Sequence, residues 1–202
     1  MPSADPTPTK GEQTRRAVLA AAIDRFGRDG YRSTSVADIA RDAGVGGTVA
    51  YAYFSSKEAL FLEAIDEDAA GAIREGLINV VGSRSHEDWQ QAILVHMIGA
   101  LDHHPLARRL LAGLEPEVTD RVLEMPALAE LRKVMAARLA EDQLSGLVRT
   151  DIDPHVMANG VVAIVLSLLM SVVQLGTSTA SPYAGDVSAV FGAALDPLPP
   201  TA

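Results

Sequence analysis

The stretch AGVGGTVAYAYF, residues 43–54, decides the fold. Three glycines fall in its first five residues, two tyrosines and a phenylalanine follow, and none of the twelve is charged. Just before it, SVAD (35–38) is a variant capping box, with Ser35 as N-cap and Asp38 three residues on. It opens a short helix with Ala37, Ile39 and Ala40 as its inner face. Gly44 stops that helix, because glycine reaches the positive φ that other residues resist. A second short helix then runs over 46–53. Two short helices joined by the tight turn Ala43-Gly44-Val45 have the layout of a helix-turn-helix motif, here 35–54. Val45 and Phe54 are expected to brace the pair against Ile39 and Phe26, leaving the front of the second helix open.

The flanks are helical too. Over 11–29, Leu19, Ala22/Ile23 and Phe26 form one apolar stripe, and Gly30 ends the helix at C′. SSKE (55–58) reads as a capping box with Ser55 as cap and Glu58 reaching back. It starts a long helix to about Val81, with Leu60, Ala64 and Ile65 inward. Residues 87–102 place Trp89, Ile93, Met97 and Ala100 on one face. Pro105 opens a short helix ending near Gly113. Residues 120–144, entered through Pro126, align Leu128, Leu131, Met135 and Leu139 before Gly146. Asp153-Pro154 is an N-cap followed by proline at the first helical position, and that helix runs to Gly176. Ser181-Pro182 repeats the start for a last helix that ends before Pro197. No segment alternates as a strand does. The expectation is an all-α chain of about nine helices. These signals divide the chain into a disordered tail over 1–10, an N-terminal unit carrying the helix-turn-helix motif over 12–72, a C-terminal helical unit over 73–196, and a second tail over 197–202.

Charge divides the chain in the same place. The 202 residues carry a net charge of −9, but residues 1–60 sum to +1 and the other 142 to −10. A near-neutral head on an acidic body implies two modules with different partners. There is no cysteine, which excludes disulfides and thiolate metal sites. MPSADPTPT lacks the charge and apolar run of a signal peptide. A cytoplasmic location is expected.

Val18-Leu19, Ala22, Phe26, Gly30-Tyr31, Thr34, Ile39-Ala40, Ala43-Gly44-Val45, Tyr51, Tyr53-Phe54, Lys57 and Leu60 agree in type and spacing with one pattern. Residues 14–65 resemble the DNA-binding domain of the TetR family of bacterial transcriptional regulators. Gly46 and Gly47 would let backbone N–H groups come close to a phosphate or base edge, where the helix dipole favours negative charge. Thr48 offers a hydroxyl and a methyl group to a base edge or thymine methyl, and Tyr51 lies one turn on. The resemblance implies that Tyr51, Tyr53 and Lys57 contact phosphates. Thr34 and Ser35 are expected to grip the flanking backbone. The chain departs from the family in having Gly46 for serine and Ala50 for a larger aliphatic. Loss of the serine cap costs only about a few tenths of a kcal/mol. Thr48, Val49 and DNA shape are left to carry specificity.

The resemblance further implies a homodimer, a palindromic operator in double-stranded DNA, and a repressor released by a small apolar ligand. Trp89, His96, Met97, Met125, Met135 and Met157 are the candidate pocket residues, methionine being suited to adaptable cavities. Residues 154–185 contain no Asp, Glu, Lys or Arg. That is long enough to cross a bilayer, so a helical membrane-associated protein is the competing reading. His155, Asn159 and Gln174 and the lack of flanking Lys/Arg clusters count against it. A helix apolar all round is otherwise covered all round. Gly160, Ala163, Ile164, Ser167, Leu168 and Ser171, with Val187, Val190 and Phe191 of the last helix, are therefore the expected dimer face, and no membrane partner is expected. His103-His104 point different ways and complete no metal site. No nucleophile–base context suggests an enzyme, and neither cofactor nor metal is expected.

Overall fold

The computed structural model describes residues 8–78, 95–119, 122–176 and 184–197. Every regular element among them is helical: α1 (Lys10–Asp29), α2 (Val36–Asp42), α3 (Gly47–Tyr53), α4 (Lys57–Ile78), α5 (described over 95–100), α6 (Pro105–Leu111), α7 (Pro116–Thr119), α8 (Pro126–Leu144), α9 (Pro154–Leu175) and α10 (Ala184–Leu195). A 3-10 turn, Val122–Glu124, precedes α8. Trp89 and the Ser181-Pro182 start lie outside the described residues.

Helix starts follow side-chain chemistry with two revisions. Thr9 caps α1 and Glu12 returns to the Thr9 N–H at 2.7 Å, a complete capping box. Thr9 and Lys10, read from the sequence as tail, are the cap and first residue of α1, because Thr9-x-x-Glu12 satisfies the helix's first donors. At α4 the cap is Ser56, not Ser55: Ser56 Oγ accepts the Ala59 N–H at 3.0 Å. The adjacent serine does the same chemistry one residue later. Asp153 caps α9 as expected, accepting from the N–H groups of His155 and Val156.

Helices α1, α2, α3 and α4 share a core built on Phe26, Ile39, Leu60 and Phe61. Phe26 meets Phe61 edge-on at 4.9 Å, a favoured aromatic geometry. In α2 the buried face is Val36, Ile39 and Ala40, while Ala37 is exposed. This cluster continues through Leu106 and Leu110 of α6 to Val162 of α9. A second cluster joins α4, α6, α8, α9 and α10 around Leu139, Met157, Val161 and Leu195. Gly27 permits the α1–α6 contact: a Cβ there would lie 2.8 Å from Pro105 Cβ and 3.0 Å from the Leu106 nitrogen.

The uncharged helix α9 buries one face, including Val161, Val165, Leu169 and Val172, against its neighbours. Gln174 Nε2 donates to the Leu111 carbonyl at 2.9 Å, tying α9 to the end of α6. The opposite face, Gly160, Ala163, Ile164, Ser167 and Ser171, is exposed.

Candidate nucleic-acid interface and regulatory cavity

The head presents α3 by locking α2. Ser35 Oγ donates to Asp38 Oδ2 at 2.6 Å and accepts the Asp38 N–H at 3.1 Å. That hydroxyl holds the Asp38 carboxyl below its usual range, with Arg41 helping. Arg25 on α1 holds Asp42 through two hydrogen bonds of 2.6 and 3.1 Å, and this pairing likewise lowers the Asp42 carboxyl. Gly44, at φ +70°, then turns the chain.

Helix α3 starts without a side-chain cap, since Gly46 is its N-cap. Gly46 has φ −67°, which any residue adopts. A Cβ on Gly47 would meet nothing within 4 Å, and one on Gly46 only Val49 Cγ2 at 3.8 Å. Neither glycine is required by the chain's own backbone or packing. Together they leave the first turn of α3 bare, with amide donors that no side chain covers. Thr48 and Tyr51 stand beside it, exposed, and Ala50 is fully buried behind it.

The other predicted contacts divide. Thr34 is 3% exposed, and its hydroxyl donates to the Gly30 carbonyl at 2.8 Å. It secures the α1–α2 turn and does not face outward, a correction to its expected grip on DNA. Ser35 is exposed, but its hydroxyl serves as the α2 cap. Tyr53 and Val49 are half-buried. Lys57 Nζ sits 4.3 Å from the centre of the Tyr31 ring, a cation–π arrangement.

Behind the head lies an apolar cavity bounded by α4, α5, α6, α8 and α9. Its volume, counted as space open to the centre of a water molecule, is about 80 Å³. Ala72, Ile73, Leu110, Val161 and Leu169 contribute to its wall, and every lining side chain is a hydrocarbon or a methionine. Such a space does not hold water well and accepts apolar guests. Of the expected residues, Met97, Met125 and Met135 line it. His96 and Met157 do not. His96 is half-buried beside Met97, the α5 residue that faces the cavity, and Met157 is packed into the second core cluster. The aliphatic residues of α9 that do line it carried no distinguishing signal, because cavity wall and solid core use the same residue types.

Five charged residues, Asp68, Arg109, Glu115, Arg32 and Glu117, tie α6 to α4 and to the head, and sequence reasoning singled out none of them for this. Asp68 on α4 is 4% exposed. Its Oδ2 accepts the Leu106 and Ala107 N–H groups at 2.9 and 2.8 Å, and its Oδ1 lies 2.8 Å from His104 Nδ1. Glu115, 3% exposed, accepts Arg109 Nε at 2.6 Å and the Tyr31 N–H at 3.2 Å. Arg32 pairs with Glu117 across the same junction. Helix α6 is thus held to α4 at its start, and through Arg109 to the turn before α2.

On α9, Ala163, Ile164, Ser167, Leu168 and Ser171 line a shallow groove. Ser167 and Ser171 donate to the carbonyls of Ala163 and Ser167, each at 2.9 Å, so their hydroxyls are satisfied within the helix. Val190 is 64% exposed. Phe191 is 6% exposed and belongs to the chain's own core, which removes it from the expected dimer face. The side chain of Val187 lies outside the described residues.

Known proteins match this arrangement. Residues 18–64 match the pattern of the bacterial regulatory proteins of the tetR family. The HTH-type transcriptional regulator YdgC of Bacillus subtilis is 24% identical over 183 residues, 89% of this chain and 91% of that protein. The HTH-type transcriptional regulator BetI of Agrobacterium fabrum is 43% identical over 51 residues, 25% of each chain. A TetR-family regulator from Mesorhizobium loti superimposes with a TM-score of 0.71 at 23% identity, covering 94% of this chain and 100% of its own.

Proposed function

Because this chain belongs to the TetR family of bacterial regulatory proteins, we propose that it is a homodimeric repressor. It binds a palindromic operator and is released by a small ligand with a large apolar part. The observation that carries the DNA-binding half is the bare first turn of α3. Gly46 and Gly47 are open, and Thr48 and Tyr51 are exposed beside them. Tyr51 and Lys57 hold phosphates and set the register. Thr48 and Val49 read base edges, and the rest of the discrimination comes from DNA shape.

The exposed face of α9 supports pairing. It is long, apolar and lined by small residues, so a second copy can approach closely. A two-fold dimer sets two α3 helices about 34 Å apart, one DNA turn. Release follows from the cavity. Its walls include Ala72 and Ile73 of α4 and Leu110 of α6, and both helices are tied to the head through Asp68, Arg109 and Glu115. A ligand that fits one α4–α6 spacing better than another biases the separation of the heads. Coupling of about 1–3 kcal/mol is the usual scale of such effects.

The test is fluorescence anisotropy of the purified chain with DNA from upstream of its own coding region, against scrambled DNA at one salt concentration. A preference of about 10³ or more supports sequence-specific recognition. Equal, strongly salt-dependent affinity for both rejects that operator.

A further inference from the structure

A lysine or arginine binds a DNA phosphate by replacing the counterions around it. One already held by a carboxylate must first give up that partner. Residues 1–60 carry eight Lys and Arg side chains, and the fold occupies most of them. Arg15 pairs with Glu63, Arg25 with Asp42, Arg28 with Asp29, Arg32 with Glu117 and Arg41 with Asp38. Arg16 lies one turn from Glu12, and its charge acts on that carboxylate. Lys10 and Lys57 are left with no carboxylate partner among the described residues. Each is the first residue of a helix, Lys57 of α4 and Lys10 of α1. The capping box makes Lys10 a positioned charge, because Thr9 and Glu12 fix α1 from Lys10 onward. Glu12 Oε2 is turned back on the cap, accepting the Thr9 N–H at 2.7 Å and the Thr9 hydroxyl at 2.9 Å.

Tyr53 locates this charge. A Cβ on Gly11, the residue after Lys10, would stand 3.6 Å from Tyr53 Oη. The start of α1 is therefore packed against Tyr53, the last residue of α3. Tyr53 is half-buried, and its hydroxyl makes no hydrogen bond among the described residues. An unused phenolic donor thus adjoins the helix end that carries an uncompensated ammonium group. Both are groups that proteins use to hold DNA phosphates. Building on the DNA-binding reading above, we propose that Lys10 is a further DNA-contacting residue, which with Tyr53 holds one backbone phosphate at the C-terminal end of α3. The Lys10 ammonium group supplies charge and the Tyr53 hydroxyl donates a directed hydrogen bond. Lys57 follows Tyr53 by four residues and holds the backbone from the other side of the α3 terminus. The bare first turn of α3 meets the bases, while Lys10, Tyr53 and Lys57 set the depth and register at which it does so. The paired arginines of the head hold its helices together and take no part in this grip.

The test is fluorescence anisotropy of the full chain with the upstream duplex and its scrambled counterpart, at several salt concentrations. Lys10→Ala should lower affinity for both duplexes by the same factor and reduce the salt dependence of log K by about one unit. Lys10→Arg keeps the charge and should keep the wild-type slope. Tyr53→Phe removes only the hydroxyl. It should bind both duplexes roughly fivefold more weakly, the scale of one hydrogen bond, with the slope unchanged. Arg28→Ala, which removes a charge held by Asp29, is the control and should leave the slope as in wild type. Lys10 is exposed, so its variants leave the core untouched. A wild-type slope in Lys10→Ala would reject the contact, and a reduced slope in Lys57→Ala beside it would leave the DNA-binding reading standing. Equal losses of slope in Lys10→Ala and Arg28→Ala would reduce the effect to net charge and overturn the assignment too. No binding of either duplex by the wild type would overturn both the contact and the reading it rests on.

Discussion

Asp68, in the middle of α4, caps α6 from outside that helix: its Oδ2 accepts the Leu106 N–H at 2.9 Å and the Ala107 N–H at 2.8 Å. His104, the residue at the N-cap position of α6, makes no side-chain cap of its own. One buried carboxylate therefore satisfies the first donors of a seven-residue helix and fixes its distance from α4. Replacing Asp68 by alanine leaves those donors unpaired in the core, at a cost of about 2–3 kcal/mol. The melting temperature should fall by roughly 5–10 °C for a chain of this length, measured by circular dichroism. Asp68→Asn keeps an acceptor and should lose less. Equal stability of the alanine variant and wild type would remove Asp68 from this role.

Gly27 permits the α1–α6 contact, with Pro105 and Leu106 where its side chain would be. Gly27→Ala forces the two backbones apart and should destabilise by about 1–3 kcal/mol, the range for overpacked sites. Gly11→Ala is the control. Its Cβ would make an ordinary contact, 3.6 Å from Tyr53 Oη. That variant should lie within about 0.5 kcal/mol of wild type or slightly above it, since alanine is the better helix former. Urea denaturation of the two variants checks the contrast.

In the DNA-binding face, Tyr51→Ala should weaken binding to operator and scrambled DNA by similar factors, because a phosphate contact carries no sequence. Lys57→Ala should do the same and reduce the salt dependence of log K by about one unit. Thr48→Ala should instead narrow the gap between operator and scrambled DNA. Anisotropy titrations at several salt concentrations separate the three. The same loss of discrimination in all of them would refute the division of roles.

Ala163→Glu puts a charge in the exposed groove of α9 without touching the core. Sedimentation velocity should show monomer where wild type shows dimer, and operator affinity should fall because a single head holds only a half-site. An unchanged dimer would move the pairing surface off this face.

His103 and Glu75 make a pH-dependent link between α4 and the residues before α6, with His103 Nδ1 2.7 Å from Glu75 Oε1. The Glu75 hydrogen bond, aided by its charge, raises His103 above the ordinary 6.5. His103 in turn lowers Glu75 below the ordinary 4.5. The histidine's contribution is complete below its unfolded pKa and disappears as pH rises through the higher folded one. The carboxylate's is complete above its unfolded pKa and disappears as pH falls through the lower folded one. Wild type should therefore exceed His103→Ala in melting temperature between pH 5 and 6, and the difference should close in alkaline buffer. The pair is exposed, so the difference is small. A gap that widens with rising pH would contradict the pairing.

Much of the molecule could be read along the chain. The Ser35 cap, Gly44, Pro126 and Asp153-Pro154 mark boundaries that reappear in α2, its turn, α8 and α9. These signals are local: a cap bonds to an amide three residues away, and a proline or glycine acts at its own φ. The same locality made some readings fail by one position. Ser55 and Ser56 are equally able to cap, and only the path of the chain into α4 chose Ser56. Thr9-x-x-Glu12 was as legible as the other boxes, but proline on either side of Thr7 made the segment look like a tail.

Composition and helical period by themselves determined an all-α chain, the helix-turn-helix register and the apolar face of each long helix. These depend on interactions within a few residues. Tertiary structure alone decided what those faces meet. It turned Thr34 inward to Gly30 and sent Phe191 into the core. It left Met97, Met125 and Met135 around a space while enclosing Met157 in the core. It brought Asp68 to α6 across 38 residues and Glu115 to Tyr31 across 84. A carboxylate carries no mark of which distant amide it will meet, and a buried methionine looks the same beside a cavity as beside another side chain. Both outcomes depend on how helices pack, which nearest-neighbour patterns do not encode.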